Sequence, residues 1–207
     1  MTNDTPEPGS SRWLDPETLS QFVRDRRILI GVTGGIAVYK VCTVVSRLAQ
    51  AGAHVTVLMT TPATRFVTPL TFQALSGNTV YTSLWDHVES KDPQHIALAD
   101  RTDVALVAPC TMDFAASLAF GRANNVVSLV LSAIDRATTP VILAPSMNEV
   151  MWNQPATRRN IAQLGDDGFS MVAPGSGWQA CRHVGTGRMA EPEQLCEAVC
   201  RALHPDS

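Results

Sequence analysis

Ile28-Leu29-Ile30-Gly31-Val32-Thr33-Gly34-Gly35-Ile36-Ala37-Val38 is the stretch that decides the fold. Its first five residues form a short, nearly continuous apolar run, as expected of a strand buried on both faces in a parallel sheet. After Thr33-Gly34-Gly35 the period changes. Val38, Val41, Val45 and Leu48 recur at steps of three and four, which predicts a helix, and Gly52 supplies its stop.

The alternation continues outward. Further strands are predicted at 55–59, 103–108, 141–144 and 170–173. Helices are predicted around 63–75, 94–101, 112–135, 155–164 and 191–203, with a short leading helix over Pro16 to Arg26. Such a pattern predicts an α/β fold: a single doubly wound, Rossmann-like or flavodoxin-like domain with an open parallel sheet. Residues 1–14, rich in Pro, Ser, Thr and acidic residues, read as a flexible N-terminal tail, leaving 15–207 for that domain.

Composition narrows the functions. A chain of 207 residues, 45% apolar, suits one domain with a substantial core and excludes wholesale disorder. A net charge of −3 without a dense Lys/Arg run gives no nucleic-acid or anionic-membrane footprint. Apolar stretches are too short to span a bilayer, and the N-terminus lacks the basic and apolar regions of a secretory signal. Five cysteines show neither a disulfide framework nor zinc spacing, so no metal site is expected and a reducing cytoplasm is the expected setting.

Ligands of doubly wound domains collect at the carboxyl ends of the strands. There the sequence places Thr33-Gly34-Gly35, Thr60-Thr61, Pro109-Cys110-Thr111 and Pro145-Ser146-Met147-Asn148. The glycines either make a turn or bring backbone amides to a phosphate, and the threonines either cap helices or add hydroxyls to the same cradle. As a set they favour a mononucleotide over a dinucleotide. His95 opens a helix and is either a packed side chain or a general base. Asn148 either stabilises a turn or donates its amide to a substrate carboxylate. Met147, Met151 and Trp152 are core packing or a cofactor wall. Glycines flank Trp178-Gln179-Ala180-Cys181-Arg182-His183-Val184, giving a surface loop with an incidental cysteine or a movable, thiol-bearing flap.

Four segments in order resemble the homo-oligomeric flavin-containing cysteine decarboxylases. They are Gly31 to Ala37 with Tyr39-Lys40; His95 to Asp100; Pro145-Ser146-Met147-Asn148-Glu149-Val150-Met151-Trp152; and Ala180 to Met189. The third is similar to that family's P-x-M-N-x-x-M-W signature. The fourth is similar to the cysteine-bearing clamp of the phosphopantothenoylcysteine decarboxylase branch, here about 175–189.

The resemblance implies an FMN-dependent carboxy-lyase that converts phosphopantothenoylcysteine to phosphopantetheine in coenzyme A biosynthesis. It implies His95, Asn148 and Cys181 as catalytic residues. FMN contacts would be Gly34, Gly35, Ile36, Thr60, Phe66, Cys110, Thr111, Met112, Asp113 and Ala144. Substrate contacts would be Asn148, Met151, Ala180, Arg188 and Met189. It further implies a homotrimer or a dodecamer, with His95 and Asn148 meeting across a subunit boundary, and a separate synthetase to make the substrate.

This chain departs from the pattern at Arg182, where the family usually has glycine, at Asp113 in place of asparagine, and at Asn124-Asn125. A peptidyl-cysteine decarboxylase would generally lack the clamp, and a non-catalytic flavin-binding regulator would be expected to lose His95, Asn148 or Cys181. All three residues are present.

Overall fold

The computed structural model describes residues 15–85, 93–178, 180 and 182–205. Its centre is β1 (Arg27–Val32), hydrogen-bonded in parallel to β2 (His54–Met59) on one side and to β4 (Val104–Cys110) on the other. β3 (Val80–Tyr81) extends the first side, and β5 (Val141–Pro145) and β6 (Ser170–Met171) extend the second. The six-stranded parallel order is β3-β2-β1-β4-β5-β6. Every residue of β4 and β5 is buried, which explains why these strands read as unbroken apolar runs.

Helices cover both faces. On one lie α1 (Pro16–Val23), α2 (Val38–Gln50) and α9 (Pro192–Leu203), packed through Leu19, Val45, Leu48, Leu195 and Val199. On the other lie α5 (Met112–Ala119), α6 (Val126–Ala133) and α8 (Pro155–Asp166), with Phe114, Leu131 and Leu164 buried against Leu29, Val107 and Leu143. Gly31 permits the close approach of α6, since a Cβ there would stand 2.6 Å from Val127 Cγ1.

The remaining elements are α3 (Pro69–Ser76), α4 (Gln94–Asp100), α7 (Glu149–Trp152) and an antiparallel hairpin, β7 (Gly175–Trp178) and β8 (Val184–Arg188).

Several expectations shift. The helix predicted over 112–135 is two helices, because Gly121 adopts φ 65° and Asn125 caps α6 by accepting from Ser128 N at 3.0 Å. Apolar spacing runs through both and hides the break. The 63–75 segment is a 3₁₀ turn over Ala63–Arg65 followed by α3, with Pro69 in its first turn. The leading helix ends at Val23, before Asp25 turns to φ 61°. β3 is too short to show a period, and the hairpin is too exposed and glycine-rich to show alternation.

The topology reverses between β1 and β4, the place where a crevice opens at the strand ends. Side chains close that crevice from below. Thr33 Oγ1 donates to the Pro109 carbonyl at 2.6 Å and accepts from Thr111 N at 3.1 Å, joining the loops after the two strands. The Ala108–Pro109 peptide is cis.

Candidate active site

The loops after β1, β2, β4 and β5 enclose a cavity of about 640 Å³. Thr33, Gly34, Gly35, Thr60, Thr61 and Thr111 line one polar side, where Gly35 N already donates to the Thr33 carbonyl at 2.9 Å and Thr60 N to the Val32 carbonyl at 3.0 Å, while Met112, Phe114, Met147 and Met151 supply apolar surface. Gly34 is required by close packing: a Cβ would stand 2.4 Å from Pro62 Cβ and 3.0 Å from its carbonyl carbon. Thr111 caps α5 by accepting from Phe114 N at 3.3 Å, so the positive end of that helix opens onto the cavity. Amides and hydroxyls beside apolar walls suit a phosphorylated aromatic group.

A second cavity of about 470 Å³ adjoins the first, sharing Gly35, Ser146 and Met147. Ile36 and Tyr39 line one wall, Asn148 another, and Trp178, Ala180, Arg188 and Met189 the hairpin side. Asn148 is the N-cap of α7: its Oδ1 accepts from Met151 N at 2.9 Å. That geometry uses the carbonyl end of the amide, leaving Nδ2 as a donor with no partner among the described residues.

Lys40 lies on the same cavity with only 6% exposure. Its Nζ donates to Glu191 Oε1 at 2.9 Å and to the Met189 carbonyl at 3.3 Å, and Arg188 Nη2 meets the same Glu191 oxygen at 2.7 Å. Two cations share one carboxylate. The surplus positive charge favours an anionic ligand.

The hairpin is docked along β8. Met147 N donates to the Gly187 carbonyl at 2.9 Å, and Thr186 N donates to Glu149 Oε1 at 3.3 Å. Gly187 adopts φ 122°, and a Cβ there would stand 2.4 Å from the Met147 carbonyl oxygen. The flanking glycines Gly185 and Gly187 therefore seat the strand against α7 and the loop before it. Arg182 adopts φ 65°, in the left-handed region, which accounts for glycine at this position in the family that the sequence resembles. Cys181, the expected clamp thiol, lies outside the described residues, as does Gln179.

His95 sits apart from both cavities. It is half-buried in the first turn of α4 and lines a small niche with Ser83, Leu84, Leu98, Val126 and Val130. The other expected contacts divide. Gly34, Gly35, Thr60, Thr111, Met112, Asp113 and Met151 line the first cavity, and Ile36, Asn148, Ala180, Arg188 and Met189 the second. Cys110 and Ala144 are fully buried in their strands, with burial pushing the Cys110 thiol up to about 12, and exposed Phe66 lines neither cavity.

Sequence reasoning left Lys40 and Trp178 out of the site. Lys40 had a signal: it precedes Val44 and Leu48 by four and eight residues, inside the buried arc of α2.

Relatives bear on this geometry. The Flavoprotein family profile matches residues 17–204. The chain is 46% identical over 174 residues to the coenzyme A biosynthesis bifunctional protein CoaBC of Bacillus subtilis, covering 84% of this chain and 42% of that protein. Less than half of that relative's length is thus represented. Among solved structures, the FMN-dependent cysteine decarboxylase SpaF superposes with a TM-score of 0.74 at 29% identity, covering 89% of this chain and 97% of that one. A PPC decarboxylase mutant complexed with pantothenoylaminoethenethiol superposes with a TM-score of 0.76 at 27% identity, covering 85% and 97%. A parallel sheet with a threonine- and glycine-lined cavity at its carboxyl edge, matched along nearly its whole length, identifies the chain as a member of the Flavoprotein family.

Proposed function

We propose that this chain is an FMN-dependent decarboxylase that converts phosphopantothenoylcysteine to phosphopantetheine in coenzyme A synthesis. The observation that carries this reading is the junction of the two cavities. One offers hydroxyls, amides and a helix N-terminus beside apolar walls; the other offers the Asn148 amide and surplus positive charge beneath the hairpin. The CoaBC and PPC decarboxylase relatives support the substrate assignment.

The first cavity has a lining suited to FMN: Gly34, Gly35, Thr60 and Thr111 would face the phosphate, and Met112 and Met151 would face the ring. Bound there, the flavin supplies the electron acceptor and donor that loss of an unactivated carboxylate requires.

The protein's own groups do the rest. Asn148 Nδ2 donates to the substrate carboxylate while its Oδ1 stays on Met151 N, so the cap holds the amide in one orientation. Lys40 and Arg188 add attraction for the anion. The docked hairpin covers the cavity and excludes water, and Cys181 returns the proton after carbon dioxide leaves.

His95 is the base in this reading. His95 lines neither cavity of its own chain, which supports its serving the site of a neighbouring copy in a homo-oligomer, the homotrimer or dodecamer that the resemblance implies. A synthetase activity supplies the substrate. Among the described residues no helix is long and apolar enough to cross a membrane.

Mass spectrometry of purified flavin-loaded protein tests the activity, using phosphopantothenoylcysteine and, separately, a peptide ending in cysteine. Carbon dioxide loss from the first is expected. Loss from the peptide alone reassigns the substrate, and loss from neither makes the chain a non-catalytic flavoprotein. Mixing His95→Asn and Asn148→Asp proteins after dissociation tests the shared site: activity returns if complementary residues meet across subunits and stays absent if each chain works alone.

A further inference from the structure

Glu191 has no part in the chemistry described above, yet two elements of the site converge on one of its oxygens. It stands at the N-cap of α9, and its own N–H donates to Gln194 Oε1 at 2.9 Å. Oε1 accepts from Lys40 Nζ at 2.9 Å and from Arg188 Nη2 at 2.7 Å. Lys40 belongs to the helix that follows the Gly34-Gly35 turn. Arg188 ends β8, the docked strand of the hairpin, and its guanidinium also passes beneath β7: a Cβ on Gly177 would stand 3.0 Å from Arg188 Nη1. Without an anion between them the two cations would repel, and Lys40 would be a buried ammonium held only by the Met189 carbonyl.

We propose that Glu191 is a positioning residue for the second cavity. Its carboxylate fixes the two cations that face the substrate and, through Arg188, sets where the hairpin lies over Asn148. This inference rests on the decarboxylase reading for its kinetic consequence but not for its structural one.

Glu191→Asp isolates position from charge. Aspartate is a favoured N-cap residue and keeps the negative charge, but its carboxylate is one methylene shorter and cannot hold both cations where Glu191 does.

Thermal melting, steady-state kinetics and backbone hydrogen exchange are then compared with wild type. The expected result is a nearly unchanged melting temperature, a KM for phosphopantothenoylcysteine raised about tenfold with kcat within about twofold, and faster exchange at Met147 and residues 184–188. A wild-type KM with wild-type exchange would overturn the proposal and leave Glu191 as a helix cap. Glu191→Gln, which keeps the reach but removes the anion that the two cations share, should raise KM at least as much as the aspartate and speed the same exchange. A wild-type KM in the glutamine variant would also overturn it, since the two cations would then be held without the carboxylate. If wild-type protein does not turn over phosphopantothenoylcysteine, the decarboxylase reading fails by itself. Exchange alone then decides Glu191, faster supporting the proposal and unchanged refuting it.

Discussion

The carboxyl edge of the sheet and the β7–β8 hairpin face each other across one site, but they are built differently. At the sheet edge, β4 and β5 are buried along their whole length, and Thr33 locks the loops after β1 and β4 together. In the hairpin, most residues are exposed or only partly buried, and the strand is held by two backbone N–H donations, the Arg188–Glu191 ion pair and the close fit of two glycines. The first region owes its geometry to apolar burial, with many contacts each worth little and collectively large. The second owes it to a few polar contacts that can break one at a time. A cavity walled by both can hold a cofactor on its rigid side and admit a substrate from its yielding side.

The largest expected effect lies where the two regions meet. Asn148→Asp keeps the α7 cap, because aspartate also accepts from the Met151 N–H, so the fold and the flavin cavity should survive. It replaces a donor with a second negative charge facing the substrate carboxylate, and like-charge contact of this kind costs several kcal/mol. Turnover should therefore fall by about a hundredfold or more while the protein stays yellow. Unchanged turnover would take Asn148 out of the site.

Two glycine substitutions separate the regions directly. Gly34→Ala forces a Cβ against the Pro62 ring and backbone, neither of which can rotate away, and should destabilise the whole domain by about 1–3 kcal/mol in urea unfolding. Gly187→Ala meets an equally close obstacle, 2.4 Å from the Met147 carbonyl oxygen, and also a φ of 122°. There the strand can lift away. Global stability should change by less than about 1 kcal/mol, while activity falls about tenfold or more as the cover is lost. If Gly187→Ala unfolds the domain as readily as Gly34→Ala, the hairpin is part of the cooperative core and the contrast is wrong.

The same contrast explains what was legible in the sequence. Strands buried on both faces announce themselves as apolar runs, and α2 and α9 as apolar stripes, so four of the five expected strands and the helices on the α2 face were read close to their bounds. The strand expected over 170–173 shortens to Ser170–Met171. The hairpin has no such period. What pointed to it was the glycines, which mark a seated strand as well as a movable loop, and sequence cannot tell one from the other. Lys40 was hidden differently: a lysine on an apolar arc reads as tolerated until Glu191, about 150 residues later, is seen to reach it. His95 was legible as a residue, but nothing in the residues themselves said that it would line a niche apart from both cavities of its own chain; only the resemblance implied a site shared between copies.

Arg182 gives the smallest effect and the finest test. Its φ of 65° lies where a side chain normally costs about 1–2 kcal/mol, and glycine removes that cost while adding freedom to the unfolded chain that folding must remove. The two terms nearly cancel, so Arg182→Gly should stabilise the protein by no more than about 1 kcal/mol, read as a small shift of the urea midpoint. A residue in the buried sheet edge opens only when the whole domain unfolds, so the same net gain there would appear as slower exchange throughout the core. In the hairpin, relief shows locally instead, as slower hydrogen exchange of the amides around residue 182 with hardly any change in the melting temperature. Full recovery of the strain energy in global unfolding would couple the tip of the hairpin to the core and erase the distinction between the two sides of the site.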